Sequence, residues 1–196
     1  MNKQITILSG AGISAESGIS TFRDANGLWE NHRIEDVATP QAWAKDPELV
    51  LEFYNLRRKQ LYEVEPNEAH LSITKLQEKF EVQVVTQNID DLHERAGNNN
   101  VTHLHGQLKQ VRSTIAPYTV YDLDGWELQL GDKCEKSSQL RPHVVWFGEE
   151  VPNLPLAAQI VSAADAVIIV GTSLNVYPAA ALYQYAKHGI PIWIID

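Results

Sequence analysis

Three short stretches of this chain set small residues beside polar ones in spacings that suit gripping a dinucleotide. In the first, the apolar run Ile5 to Leu8 leads into Gly10-Ala11-Gly12 and then Ala15. This is the G-x-G-x-x-G/A spacing, in which a backbone turn closes on a pyrophosphate. An ordinary dehydrogenase follows it about 20 residues later with an acidic residue that takes the ribose. Residues 18–33 instead hold glycines, polar residues and scattered apolar ones, among them Phe22, Arg23 and Asp24. The pattern therefore argues for a nucleotide phosphate and against plain hydride transfer.

In the second stretch, Gln87, Asn88 and Asp90 follow the apolar run 82–86. That is the carboxyl edge at which open α/β sheets bind ligands. Side chains of these types grip an amide or a ribose, and Asn and Asp equally well cap the next helix. In the third, Gly171-Thr172-Ser173 follows the most apolar run of the chain. Its amides and hydroxyls suit a second part of the nucleotide, although an ordinary strand-to-helix turn has the same composition. His103 and His105 stand two apart, on one face of an extended segment, and Gly106 follows. An imidazole titrates near neutral pH, which makes His105 the general-base candidate. Segment 141–149, RPHVVWFGE, reads either as an edge for a peptide to pair with or as an internal core strand.

The elements that position these residues follow from the apolar pattern. Runs 82–86, 166–171 and 191–196 alternate with amphipathic stretches, which predicts a parallel α/β sheet. Helices are expected over 47–64, 67–79, 154–163 and 178–188, the last with Pro178 at its first position and Gly189 as its cap. Residues 107–141 show no clear period and read as a small irregular or β-rich insertion. The expected organisation is a main domain of 1–106 and 142–196 around that insertion. A chain of 196 residues is long enough for such a core. Its net charge of −9 disfavours nucleic acid and anionic membranes and favours a basic partner such as a lysine-bearing segment. A single cysteine excludes an internal disulfide framework. No signal-peptide pattern precedes the first strand, and no apolar run reaches the roughly 18 residues of a membrane span, so a cytoplasmic protein is expected.

Taken together, GAGISAESGISTFR, TQNIDDLHERAG, HLHG, RPHVVWFGE and GTSLNVYPAA, in this order, resemble the sirtuin family of NAD-dependent protein lysine deacylases. The resemblance implies a Rossmann-like α/β fold with a small inserted module, NAD as cofactor and acyl-lysine proteins or peptides as partners. It implies that Gly10, Ala11, Gly12 and Ser14 hold the pyrophosphate and that Phe22 and Arg23, in a mobile loop, cover the nicotinamide ribose. Gln87, Asn88, Ile89 and Asp90 would seat that ribose and the nicotinamide amide. Gly171, Thr172 and Ser173 would bind the adenosine side, and Val145, Trp146, Phe147 and Gly148 would lie along the acyl-lysine. His105 would be the base. In the implied chemistry the acyl oxygen attacks C1′, nicotinamide leaves, and a ribose hydroxyl deprotonated by His105 carries the acyl group away as O-acyl-ADP-ribose.

Two features depart from the family pattern. Its small module commonly holds zinc through four cysteines, whereas here Cys134 stands alone, with Ser113 and Ala116 near the places of a first pair. No structural zinc is expected, because such a site needs about four ligands. The family also continues beyond the position of Asp196 through an Asn-containing turn and a helix that help to close the adenine site. Within 47–64, Tyr54 and Arg57 lie three apart on one helical face. They resemble the Tyr-x-x-Arg pair of the sirtuins that remove succinyl and malonyl groups. Without that resemblance Arg57 reads, with Arg58 and Lys59, as one of several solvated charges. Two other activities fit the same scaffold: ADP-ribosyl transfer or NAD hydrolysis, and NAD sensing without catalysis.

Overall fold

The computed structural model describes residues 3–20, 28, 29 and 32–195. In chain order its elements are β1 (Gln4–Ser9), a 3-10 helix (Ala11–Ser17), β2 (Leu28–Trp29), β3 (His32–Arg33), α1 (Ile34–Val37), α2 (Pro40–Lys45), α3 (Pro47–Glu63), α4 (Glu68–Leu76), β4 (Glu81–Thr86), α5 (Leu92–Arg95) and β5 (Val101–His103). Then come β6 (Gly106–Ser113), β7 (Val120–Asp122), β8 (Leu140–Val144), α6 (Leu154–Ala163), β9 (Ala166–Val170), a second 3-10 helix (Ala179–Tyr185) and β10 (Ile192–Ile195). The chain divides into two units, one of Met1–Thr21, Glu65–Leu104 and Val151–Asp196, the other of Phe22–Val64 and His105–Glu150. Residues 107–141, expected to form a small insertion, thus belong to a larger body that also includes α1 to α3.

In the first unit the apolar runs pair into a parallel sheet of order β10-β9-β1-β4-β5. Strand period two sends alternate side chains to opposite faces. Ile5, Ile7, Val82, Val84 and Ala166 pack with Ile73 of α4, while Leu8, Val85, Val167 and Ile169 pack with Ala157 and Val161 of α6. The chain runs from β1 to β4 and β5 on one side, then crosses to β9 and β10 on the other. Strand order therefore reverses beside β1, and a ligand crevice opens at such a reversal. The glycine turn after β1 leads into a 3-10 helix, and Asn67, which caps α4 through Ala69 N, also holds that helix through Ile13 O (2.7 Å) and Ser17 Oγ (3.0 Å). The helix expected over 178–188 is the shorter 3-10 turn Ala179–Tyr185. It is closed by i→i+3 bonds from Ala181 to Pro178 and from Ala186 to Tyr183, and extended backbone at Ala186 ends it before Gly189.

The second unit pairs β7-β6-β8 antiparallel, so β8, which opens the RPHVVWFGE segment, is an edge strand of this sheet. Asp46 caps α3 by accepting from Leu49 N at 3.0 Å, and Leu51 of α3 packs on Val111 of β6 and on Leu128. Arg58 departs from the solvated reading of its neighbourhood. It is fully buried, its Nε donates to Leu108 O and its Nη1 to Trp126 O, both at 2.7 Å, and Nη1 also donates to Asn55 Oδ1. Burial lowers its pKa to about 10. Three acceptors in an otherwise apolar layer offset the desolvation that a lone buried cation would suffer.

Candidate functional site

Within the first unit the loops after β9, β1 and β4 are knotted together by hydrogen bonds. The amides of Gly10 and Gly12 donate to Val170 O (3.2 Å) and Gly171 O (2.8 Å). The contact leaves no room for side chains: a Cβ at Gly12 would lie 2.8 Å from Gly171 Cα, and one at Gly171 would lie 2.2 Å from Ile13 N. Gly171 also has a φ of +62, the left-handed region that glycine enters at little cost. Gln87 Nε2 donates to Thr172 Oγ1 at 3.1 Å. Ser14 Oγ donates to Asp90 Oδ2 (3.0 Å) and accepts from Asn88 Nδ2 (3.1 Å). Thus Gly10, Gly12, Ser14, Gln87, Asn88, Asp90, Gly171 and Thr172, expected to bind one nucleotide, lie on one sheet edge. Ala11, Ile89 and Ser173 sit among them, half-buried. Phe22 and Arg23 lie outside the described residues.

Beneath this edge runs a buried polar chain. His93 Nε2 lies 2.9 Å from Ser9 Oγ, which donates to Thr86 Oγ1 at 2.9 Å, and Thr86 Oγ1 also accepts from Asn88 N at 3.0 Å. The His70 ring stands edge-on to His93 with centroids 5.0 Å apart. Burial pushes His70 down to about 4 and His93 down to about 3, so both are neutral at pH 7. Burial also raises the Asp90 carboxyl above its ordinary value, despite bonds from Leu92 N and Ser14. His103 donates one ring nitrogen to Asn88 O at 2.8 Å, while the other lies 2.7 Å from Glu94 Oε1.

Within the second unit, Gly106 brings His105 against the RPHVVWFGE segment. Its φ is +80 and a Cβ there would fall 2.0 Å from His143 O, so only glycine lets β6 start this close to β8. His105 is half-buried, and its carbonyl accepts Val145 N at 2.9 Å. Trp146 is buried, while Phe147 and Gly148 are exposed. Glu149 fixes this segment: its carboxylate takes Arg141 Nη1 at 2.7 Å, Arg112 Nη2 at 3.0 Å and Trp146 N at 2.8 Å. The Arg141 guanidinium stacks on the Trp146 ring, 3.2 Å from its centroid. Burial would raise the Glu149 carboxyl, but the two arginines and Trp146 N outweigh it and hold it below the usual range. Tyr54 is fully buried, and its hydroxyl accepts from Trp146 Nε1 at 3.1 Å. Arg57 lies half-buried with its guanidinium carbon 5.1 Å from the Phe53 ring centroid. Glu94 and Glu149 escape a sequence reading, although Arg141 and Glu149 bracket one quoted motif. Their partners become visible only once the strands pair.

A parallel sheet with a glycine turn at its reversal and a polar carboxyl edge defines a Rossmann-like, dinucleotide-binding class of protein. A family model described as the Sir2 family matches residues 10–178, and the chain belongs to that family. It is 55% identical over 196 residues to an NAD-dependent protein deacylase of Helicobacter pylori, covering 99% of this chain and 82% of that one. It is 50% identical over 199 residues to one of Bacteroides thetaiotaomicron, covering 99% and 85%. Among solved structures, a Sir2 homologue in complex with NAD superposes with a TM-score of 0.90 at 44% identity, covering all of this chain and 78% of that one. A Sir2 protein with a deacetylated peptide and O-acetyl ADP-ribose gives 0.82 at 33% identity, covering 100% and 82%.

The buried histidines make stability depend on pH. Below its ordinary pKa near 6.5 an unfolded histidine takes up a proton that His93, folded, refuses until about pH 3. Stability is therefore full above pH 6.5 and falls as pH drops, at about 1.4 kcal/mol per pH unit for each such group. In urea titrations between pH 6.3 and 4.5, His93→Gln is expected to flatten the pH slope of unfolding free energy by about that amount. A slope equal to that of the wild type would show that His93 does not set it.

Proposed function

We propose that this chain is an NAD-dependent protein lysine deacylase that releases nicotinamide and O-acyl-ADP-ribose. The observation that carries the reading is the knot of three loops on the carboxyl edge, where Gly12 meets Gly171, Gln87 meets Thr172 and Ser14 meets both Asn88 and Asp90. The residues would suit NAD: the glycine turn after β1 meets the Gly171 loop backbone to backbone, and the polar side chains of Gln87, Asn88 and Asp90 stand on the same sheet edge. When bound, NAD supplies an electrophilic ribose carbon and a leaving group. The Gly10 and Gly12 amides are bonded to Val170 O and Gly171 O, and the turn they fix would face the pyrophosphate. Asn88 and Asp90, fixed by Ser14, orient the ribose and the nicotinamide amide, with Gln87 and Ile89 beside them. Thr172 and Ser173 take the adenosine side. His105 removes a proton from a ribose hydroxyl, and Val145, Trp146, Phe147 and Gly148 guide the acyl-lysine.

Support for His105 as the base is its half-buried ring and its backbone tie to Val145, which sets an imidazole beside the peptide-type segment. Loss of a general base costs about 10²–10⁴ in rate. His105→Ala is expected to lose turnover of an acyl-lysine peptide while NAD affinity, read by calorimetry, stays within about threefold. Deacylation above a tenth of the wild-type rate would remove His105 from that role.

For the acyl group, the reading favours acidic chains such as succinyl and malonyl, alongside acetyl. The supporting observation is that Tyr54, three residues before Arg57 on the same helix, has its hydroxyl oriented by Trp146 Nε1 at 3.1 Å, from the segment proposed to guide the acyl-lysine. Arg57 supplies the countercharge. A bond to a charged group contributes about 1.5–3 kcal/mol, roughly 10- to 150-fold in kcat/KM. Arg57→Met is expected to lose most desuccinylation and to change deacetylation by less than about threefold. Equal losses on the two peptides would place Arg57 in folding or cofactor binding.

The second unit is proposed to fold without zinc. Cys134 Sγ lies 3.3 Å from Ser113 Oγ, a hydrogen-bonded pair where the family commonly places ligands. A serine hydroxyl and one thiol do not make the four-ligand set that structural zinc requires. Elemental analysis of the purified protein is expected to find far less than one zinc per chain. About one per chain, lost together with the fold on chelation, would overturn this.

A further inference from the structure

Asn88 is held from three directions within the first unit. Its amide nitrogen donates to Thr86 Oγ1 (3.0 Å), its side chain donates to Ser14 Oγ (3.1 Å), and its carbonyl oxygen accepts from His103 Nδ1 (2.8 Å). The third contact defines a protonation state. A carbonyl oxygen only accepts, so Nδ1 carries a proton. The other ring nitrogen faces Glu94 Oε1 at 2.7 Å, and an ionised carboxylate also only accepts. The ring with a proton on both nitrogens satisfies both partners, and the neutral ring forfeits one of them. His103 is buried, so a lost bond there is not replaced by solvent. Asn153, at the start of α6, donates to His103 O at 2.7 Å and fixes the backbone that carries the ring.

We infer that His103, held as an imidazolium by Glu94, is a positioning residue that clamps the Asn88 carbonyl and so presets the Gln87–Asp90 loop for the nicotinamide side of NAD. This rests on the NAD reading given above. The charged or titratable groups around the ring are Glu94 and His93 on α5 and Asp90 in the loop before it; α6 contributes only the neutral Asn153. Burial alone would lower the His103 pKa, but the bond and charge of Glu94 together with the Asn88 carbonyl outweigh it and hold it above the ordinary value. Glu94 agrees from its own side: burial raises it, His103 outweighs that, and it lies below the usual carboxylate range. The clamp is therefore engaged below the raised His103 value and releases as pH rises through it. Glu94→Gln replaces an acceptor-only carboxylate with an amide that can donate to a bare Nε2, so the neutral ring keeps its Nδ1 proton on Asn88 O and the release is lost.

The test pairs NAD calorimetry from pH 6 to 9 on the wild type, Glu94→Gln and His103→Gln with the imidazole nitrogen shifts of His103 in the protein without NAD. The expected result is an imidazolium at pH 7 and an NAD affinity that weakens about tenfold (about 1.4 kcal/mol) across an alkaline limb. That limb should vanish both in Glu94→Gln, whose amide lets the neutral ring stay on Asn88 O, and in His103→Gln, whose amide still donates one hydrogen bond. A side chain that merely supported the fold would weaken binding at every pH and leave the limb in place. A neutral His103 ring at pH 7, or a limb indifferent to Glu94→Gln, overturns the clamp while wild-type NAD binding leaves the deacylase reading intact. A wild type that binds no NAD at any pH removes that reading and the clamp's function with it.

Discussion

The Gly12 amide meets the Gly171 carbonyl at 2.8 Å, with no space for a Cβ on either residue. Nearly everything on the carboxyl edge of the first unit follows from that contact. It joins the loop after β1 to the loop after β9 where strand order reverses, and it brings Thr172 within reach of Gln87 in the loop after β4. The glycines of the N-terminal motif serve this backbone-to-backbone packing at the same time as any approach to phosphate. A methyl group at either site would push the loops apart and take Gln87 and Thr172 out of hydrogen-bonding range.

Rigidity then passes inward through neutral groups and outward through charged ones. Ser9, Thr86 and the neutral histidines His70 and His93 form a buried polar support under Asn88, and the low pKa values of the two rings express the cost of charging them there. His103 and Glu94 are a compensated pair, each favouring the charged form of the other. In the second unit Glu149 plays a comparable part. One carboxylate satisfies two arginines and the Trp146 amide, so the segment proposed to guide acyl-lysine is fixed from its buried side while Phe147 stays exposed. A peptide-guiding segment held this way binds without first having to be ordered.

Much of the fold was legible in the sequence because parallel strands buried on two faces read as unbroken apolar runs, and 82–86 and 166–171 appear as β4 and β9. The helices over Pro47–Glu63 and Leu154–Ala163 were equally plain, with proline at or near their first turns. What stayed hidden depends on tertiary contacts. Ala11–Ser17 and Ala179–Tyr185 are 3-10 turns, and seven residues are too few for a period to tell one helix type from another. Arg58 reads as solvated beside Arg57 and Lys59, yet it is buried because Leu108 and Trp126 offer it carbonyls from distant parts of the chain. His103 reads as one of two histidines, but Glu94 lies on another element and gives no sign in the sequence of pairing with it. The polar residues of the carboxyl edge were legible by type and address, whereas their mutual bonds were not.

The central claim is that the chain moves an acyl group from lysine to ADP-ribose at the expense of NAD. Mass spectrometry of the products from the wild-type protein, NAD and one acyl-lysine peptide tests it directly. The account predicts nicotinamide, free-lysine peptide and O-acyl-ADP-ribose in equal amounts. Free ADP-ribose, or peptide-bound ADP-ribose with the acyl group still on lysine, would contradict it and point to NAD hydrolysis or ADP-ribosyl transfer instead.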